Sequence, residues 1–408
     1  MTRVYVLRLC VLTCLWLGTM LSAAWAQTLA RCGQGWLEQV DGALVLHLKG
    51  TPYEMGYQHG ALLRDHVRQN MHHLLEVKAR EFTLVQLGPL KVTPRAAIET
   101  ILRIEEPYID ARYQEELRGL AAGSGLSLAD AKVGNFIPEL FHCSGFALAN
   151  TATQDGELYH GRVLDYAVDW GLQEHAVVIV AEPNGRVPWV NISYAGFIGS
   201  VTGMNVEHIS IGEMGGGGLG HWEGRPMALI VREALETATS LEEAIAVFRD
   251  GPRTCQYFYV VADGETKQAV GMEASWNVFQ LIEPGQKHEL LPNPVPDCVL
   301  LSAGDRYQEL SRRAQARHGQ FTAADALQLM SRPVAMKSNL HNVLFAPKST
   351  DFWVAHASRD GRPAAEQPYQ KFNLRELLNR RPNPSSPEIP FAPQAAAGED
   401  GEKTTSAR

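Results

Sequence analysis

Beyond its first 26 residues the chain holds no apolar run of the ~20 residues that a membrane-spanning helix needs. It also holds no Cys-x-x-Cys pair, no His-Glu-x-x-His and no Walker-type phosphate loop, so the common zinc, dithiol-redox and nucleotide signatures are missing. Basic residues are not gathered into a patch, and the formal net charge of the 408 residues is −8. A nucleic-acid footprint would need a clustered basic face instead. With 45% hydrophobic and 20% charged residues, the composition is that of a globular protein with a large core.

What is present begins with a leader. Arg3 and Arg8 flank the start of an apolar run, Leu9 to Ala26, which closes on Ala24-Trp25-Ala26, a small-x-small cleavage signal. The expectation is a signal peptide over residues 1–26 and a secreted or periplasmic protein. An N-terminal membrane anchor is the alternative, and the run is slightly short for one. Cys10 and Cys14 leave with the leader, while Cys32, Cys143, Cys255 and Cys298 remain. An oxidising compartment permits a disulfide, and both Cys32–Cys298 and Cys255–Cys298 stay open.

Along the chain, Leu44-Val45-Leu46-His47-Leu48 reads as the end of a strand. Thr51, with Pro52 next and Glu54 three residues on, is a capping box that opens a helix continuing to about Phe82. A second helical stretch covers about 94–122 and stops at Gly123, and Ser127 or Asp130 opens a short third one. Residues 27–142 are therefore expected to be mainly helical. From Cys143 the character changes to short strand patterns, with helical patterns at about 226–239, 241–249, 305–317 and 322–331. That order suits two stacked sheets with helices outside, over residues 143–380. Residues 381–408, rich in Pro, Ser, Ala and charge, are expected to be disordered.

Cys143 heads the first of these strands, in CSGFALANTATQDGELYHGRVLDY. Asp155-Gly156 supplies a turn, and Gly161-Arg162-Val163-Leu164-Asp165 closes a second strand. A thiol is mostly protonated near neutral pH, and the thiolate is the nucleophile. An α-amino group freed at Cys143 by chain cleavage, with an ordinary pKa of about 7.7–8.0, can take the thiol proton and return it to a leaving amine. Asp165 suits the carboxylate that holds this ammonium. Arg162 suits a guanidinium that favours the thiolate and offers donors to a substrate. Three apart on a regular strand, the two point to opposite faces, so joint action calls for a bend or a strand end between them.

This pattern resembles the start of a mature N-terminal-nucleophile (Ntn) hydrolase, and further motifs narrow the resemblance. GTPYEMGYQHG at 50–60, YQEELRGLAAG at 113–123, YAGFIGSVTGMN at 194–205 and GRPMALIVREALE at 224–236 occur in order. They are similar to the acyl-CoA:6-aminopenicillanate (isopenicillin N) acyltransferase-like family of Ntn hydrolases, related to choloylglycine hydrolase and penicillin V acylase. The resemblance covers most of residues 48–357. It implies an α/β fold, a four-layer αββα sandwich of two mainly antiparallel sheets between helices. It implies self-cleavage between His142 and Cys143, two fragments of one precursor held together, Cys143 as nucleophile and Asp165 as its supporting carboxylate. Arg162 matches the related hydrolase pattern. Neither cofactor nor metal is implied. The expected reaction is cleavage of a carbon–nitrogen amide bond through a Cys143 thioester, with acyl transfer to an amine as a variant. The substrate would be an N-acyl amino acid, a small peptide or an acylated amine.

One position departs from the family. Its oxyanion asparagine is expected after a late strand, where this chain reads Leu300-Leu301-Ser302-Ala303-Gly304-Asp305, and Ala303 falls nearest. Asn205, Asn339 and Asn342 stand as substitutes. Two other readings follow: a non-catalytic or weakly catalytic binding protein on the same scaffold, or a papain-like thiol hydrolase using Cys143 and a distant histidine without chain cleavage. His59, His66 and His73 recur every seven residues and raise zinc, but exposed helix positions explain them better. Gly215-Gly216-Gly217-Gly218 lacks a phosphate-loop pattern and reads as a loop beside the active-site mouth.

Overall fold

The computed structural model describes residues 26–78, 85–87, 90–136 and 143–393. Residues 1–25 of the expected leader, His142 at the expected cut and residues 394–408 lie outside the described residues.

In chain order the described strands are β1 (Ala26–Cys32), β2 (Gly35–Val40), β3 (Ala43–Gly50), β4 (Val85–Leu87), β5 (Leu90–Val92), β6 (Ser144–Leu148), β7 (Tyr159–Asp165), β8 (Ala176–Pro183) and β9 (Trp189–Tyr194). There follow β10 (Thr202–Asn205), β11 (Ile209–Gly217), β12 (Gln256–Asp263), β13 (Gln268–Ser275), β14 (Phe279–Ile282), β15 (Cys298–Leu301), β16 (Asn339–Ala346), β17 (Asp351–His356) and β18 (Gln370–Asn373). One sheet has ten strands in the order β1-β2-β3-β8-β9-β10-β11-β12-β13-β14, and a second has six, β15-β6-β7-β16-β17-β18. β3 and β8 are parallel. The other neighbours are antiparallel.

Strand alternation sorts the side chains into layers. Val45, Val178, Val180, Val190 and Ile192 of the large sheet meet Val343, Phe345, Phe352 and Val354 of the small one. Their neighbours Leu46, Leu48, Val177 and Ile179 turn outward beneath helices Pro52–Leu62 and Ala111–Ser124. Helices Met227–Thr237 and Leu241–Arg249 cover the outer face of β11 to β13. Helices Gly304–Ala316 and Ala323–Leu329 cover the small sheet through Tyr307, Leu310, Ala326 and Leu329. The layers therefore run helix, sheet, sheet, helix, as the resemblance implied.

Two of the motifs that carried the resemblance meet as a helix pair, and their glycines set the distance. A Cβ on Gly56 would stand 2.0 Å from the carbonyl oxygen of Glu116, and one on Gly123 2.2 Å from that of Tyr57. Only a hydrogen fits at such positions, so the two backbones touch. Thr51 caps the first of these helices as a full capping box: its hydroxyl accepts from Glu54 N at 3.3 Å and the Glu54 carboxylate accepts from Thr51 N at 2.7 Å. Helical character continues from there to Lys78, and Phe82 lies outside the described residues. The helix stops at Leu62, restarts as Arg64–His72 and closes in a π turn, His73–Lys78. The second stretch ends at Gly125, whose φ of 78° gives the left-handed cap, rather than at Gly123.

Among the described residues of 27–142 helices predominate, while β1 to β3 extend the large sheet and β3 pairs directly with β8. The tail is not disordered from 381. Residues up to 393 lie along the edge strand β1, with Arg31 N donating to Pro387 O at 2.8 Å and Ile389 N to Arg31 O at 2.7 Å. Composition favoured disorder, but an edge strand offers unpaired backbone groups, and Phe391 adds an edge-on contact to Tyr57 at 5.0 Å. Neither of the two pairings left open is formed. Cys32, Cys255 and Cys298 are buried in three different parts of the core.

Candidate active site

The register of β6 places the nucleophile candidate. Gly145 lies opposite Arg162 of β7 on one side and Leu301 of β15 on the other. Continued two residues back from Gly145, the same register sets Cys143 beside Leu164 and beside Ala303, and Asp165 follows Leu164 at the end of β7.

Cys143 is only 3% exposed and lines an open pocket of about 950 Å³ with Met214, Gln256, Phe258, Leu291, Ser302 and Ala303. Gly215, Gly216 and Gly217 line it too. They are the end of β11 rather than a loop, and the β11–β12 register slips between Met214 and Gly217. Such a bulge bends a strand and re-aims what it carries. A second pocket, about 740 Å³ and largely apolar, includes Leu164, Tyr166, Ile192, Tyr194, Phe197 and Leu340.

β7 keeps its alternation to the end, so Arg162 and Asp165 part. Arg162 is fully buried and crosses to the large sheet, where a Cβ on Gly212 would lie 3.1 Å from its Cδ. Its Nη2 donates to Glu213 Oε2 at 3.3 Å, and Nη1 to Val163 O. By the same alternation Cys143 shares this face. Asp165 faces the helical layer instead, where Oδ2 accepts from Arg306 Nη1 at 2.5 Å and Oδ1 from Met336 N at 2.8 Å. Burial pushes the Asp165 carboxyl up to about 6, against the pull of the Met336 N–H and Arg306. Arg306 Nη1 also reaches Ser144 Oγ at 3.3 Å, and the Ser144 and Ser302 hydroxyls share a hydrogen bond of 2.7 Å.

Glu213, Arg306, Ser144 and Ser302 were not singled out from sequence. Arg306 had a signal of its own, since it follows directly on the segment searched for the asparagine. Glu213, a charged residue inside the strand-patterned stretch Ile209–Gly217, is the other such signal. The three substitute asparagines are engaged elsewhere. Asn205 donates to Leu235 O and Ala238 O, Asn339 to Leu164 O, and Asn342 to Tyr369 Oη. None of them lines the Cys143 pocket, and neither does a histidine among the described residues.

The histidine series is not a row of exposed positions. His59 is buried, and its Nε2 accepts from Gly196 N at 2.9 Å. Burial, then Arg232, takes it down to about 3, so the ring is neutral. His66 is half-buried, with Nδ1 3.1 Å from Nδ1 of His175. Among the described residues no group of three or more His, Cys, Asp or Glu side chains is placed to hold a metal ion.

Comparison with known proteins finds relatives among amide-cleaving and acyl-transferring enzymes. Residues 152–288 match the acyl-coenzyme A:6-aminopenicillanic acid acyl-transferase family. That span contains β7, with Arg162 and Asp165, and begins after Cys143. The chain is 25% identical over 382 residues to protein dcd1B of Dictyostelium discoideum, covering 83% of this chain and 75% of that protein. It is 25% identical over 178 residues to the N-acylethanolamine-hydrolyzing acid amidase of Mus musculus, covering 40% of this chain and 48% of that one. The chain thus spans about half the length of that amidase. Among solved structures, a Caenorhabditis elegans N-acylethanolamine-hydrolyzing acid amidase ortholog aligns at 17% identity and a TM-score of 0.42, over 50% of this chain and 93% of that one.

Proposed function

We propose that this chain is an amidohydrolase of the Ntn type that works through a thioester on Cys143. The similarity to an acyltransferase family and to an acid amidase supports an amide-cleaving or acyl-transferring enzyme. One observation supports the finer reading: Cys143 stands directly before β6, an interior strand of the small sheet, and lines a pocket, with Asp165 one residue beyond its register neighbour Leu164.

The mechanism follows from that placement. Cleavage between His142 and Cys143 frees the α-amino group, and the ionised Asp165 next to it holds the ammonium form by accepting its N–H groups. The neutral amine takes the thiol proton, and Sγ attacks the amide carbonyl carbon. The carbon–nitrogen bond then breaks, the leaving amine departs with that proton, and the acyl group stays on Sγ. Water hydrolyses the thioester to a carboxylic acid and restores the thiol; an amine in place of water gives acyl transfer. Arg162, on the Cys143 face, lends positive potential to the thiolate, tempered by its pairing with Glu213. An apolar acyl group suits the pocket that includes Leu164, which leaves the amine half to the pocket lined by Cys143 and Gln256. Export through the leader places the enzyme outside the cytoplasm, which favours hydrolysis over transfer from acyl-CoA.

The test is the intact mass of purified protein beside its Cys143→Ala variant, with amide hydrolysis measured on both. Two fragments, one starting at Cys143, and turnover in the wild type alone are expected. An uncut wild type that still hydrolyses amides points to the papain-like reading. An uncut and inactive one points to a binding scaffold, the reading that Ala303 at the asparagine position favours.

A further inference from the structure

The Cys143 pocket contains a glutamine whose orientation is fixed from behind. Gln256 Nε2 donates to Glu273 Oε1 on the neighbouring strand β13 at 2.6 Å. The other oxygen of Glu273 faces His288 Nε2 at 3.8 Å. A carboxylate only accepts, so the NH2 half of the Gln256 amide faces Glu273 and the carbonyl half is turned away from it. That carbonyl oxygen lies over Gly217. It is the one heavy atom that a Cβ built on Gly217 would meet within 4 Å, at 3.6 Å. Gln256 and Gly217 both line the pocket. The glycine therefore leaves a fixed acceptor uncovered.

We propose that Gln256 is a specificity-determining residue, whose Oε1 accepts a hydrogen bond from the amine half of the substrate. It selects leaving groups that carry an O–H, N–H or ammonium donor over alkyl or carboxylate-bearing ones. This rests on the proposed amidohydrolase function. An alkyl leaving group displaces water from Oε1 and returns no partner, which a site built around a polar contact penalises. A carboxylate meets the Gln256 oxygen with Glu273 behind it, and the described residues lining the pocket bring no cationic side chain to it. Acylated amino-alcohols and diamines fit; N-acyl amino acids do not.

The experiment couples one acyl chain, chosen for highest turnover, to 3-aminopropanol, butylamine and β-alanine. In the wild type, kcat/KM for the aminopropanol amide should exceed that for the butyl amide by about 3- to 10-fold, mainly through KM, with the β-alanine amide slowest. Gln256→Leu should bring the first ratio to about one. Gly217→Val covers the same oxygen while leaving the Gln256–Glu273 bond in place, and should do the same. Gln256→Lys should shift the preference toward the β-alanine amide. Equal kcat/KM for all three amides in the wild type, or an undiminished ratio in both Gln256→Leu and Gly217→Val, overturns the assignment. If no amide is hydrolysed and the wild type matches Cys143→Ala, the amidohydrolase reading goes, and this inference goes with it.

Discussion

Arg162 and Asp165, three residues apart on one strand, serve opposite faces of the small sheet: Arg162 reaches Glu213 at 3.3 Å, and Asp165 reaches Arg306 at 2.5 Å. The family pattern reads them as neighbours in one site. The fold makes them the ends of two separate polar connections that pass on either side of the strand next to Cys143.

The Arg162–Glu213 pair has both side chains at 0% exposure. Removing one partner of such a pair leaves a buried charge without compensation. Arg162→Ala should therefore destabilise by about 3–5 kcal/mol, read as a lower urea midpoint. The double variant Arg162→Met, Glu213→Gln should recover much of that loss, because it removes both charges. A single variant that unfolds at the wild-type midpoint would falsify the pairing.

Asp165 links function to pH. Its carboxyl is raised by burial from 3.8 to about 6, so it is an ionised acceptor and base only above that pH, and a self-cleavage that uses it should speed up as pH rises through about 6. Stability runs the other way. The protonated form suits the fold, so its contribution is complete below about 3.8 and is lost as pH rises through about 6. Following the mass of fresh precursor from pH 4.5 to 8 checks this. Asp165→Asn should process slowly, with no inflection near 6. Normal processing in that variant would remove Asp165 from its role.

Ala303 offers a gain of function. It stands beside Cys143 by register, lines the pocket, and occupies the N-cap of helix Gly304–Ala316 with no side-chain cap. Asparagine there supplies an amide donor to the pocket, and one oxyanion donor is worth about 100-fold in rate. It also caps the helix, which adds about 1 kcal/mol of stability. Ala303→Ser separates the two effects, because serine caps without an amide. Ala303→Asn should raise kcat well above both the wild type and Ala303→Ser, whereas both variants should melt higher. Equal rates in the two would show that another donor already fills the place.

Much of this was legible in the chain because its cues are local. Thr51-Pro52 and Glu54 announce a helix start, and the helical pattern read at about 241–249 is the helix Leu241–Arg249. Period-two patterns found the strands after Cys143. What stayed hidden depends on contacts distant in sequence. The chemistry of Asp165 is set by Arg306 and Met336, and the order of residues 381–393 by the edge of β1. Gly215 to Gly218 showed no strand signal because glycine disfavours strands. Three of them nevertheless end β11, since Gly216 presses on the Gln256 carbonyl, where a Cβ would stand 2.0 Å away.

Buried charges bridge the two proposed fragments. Arg232, in the motif after Cys143, forks onto Glu116, in a motif before it, at 2.9 and 2.6 Å, and donates to Glu236 at 2.8 Å. Arg112 adds a contact to Glu236 at 2.7 Å. Arg232, Glu116 and Glu236 are buried, so this is a buried charge network across the proposed fragment interface. In an uncut chain, losing it lowers stability by about 3–5 kcal/mol, but the halves stay tethered. In a cut chain the same loss also weakens association, because the backbone no longer holds the halves at high effective concentration. Arg232→Met made in the processed protein should therefore release its amino-terminal fragment at a lower urea concentration than the wild type, and should do so more readily on dilution. Arg232→Met combined with Cys143→Ala should unfold earlier without any dependence on protein concentration. Size-exclusion chromatography in urea at two protein concentrations reads the difference. Concentration-independent behaviour in both would mean that β3–β8 pairing and the helix contacts hold the fragments without help from Arg232.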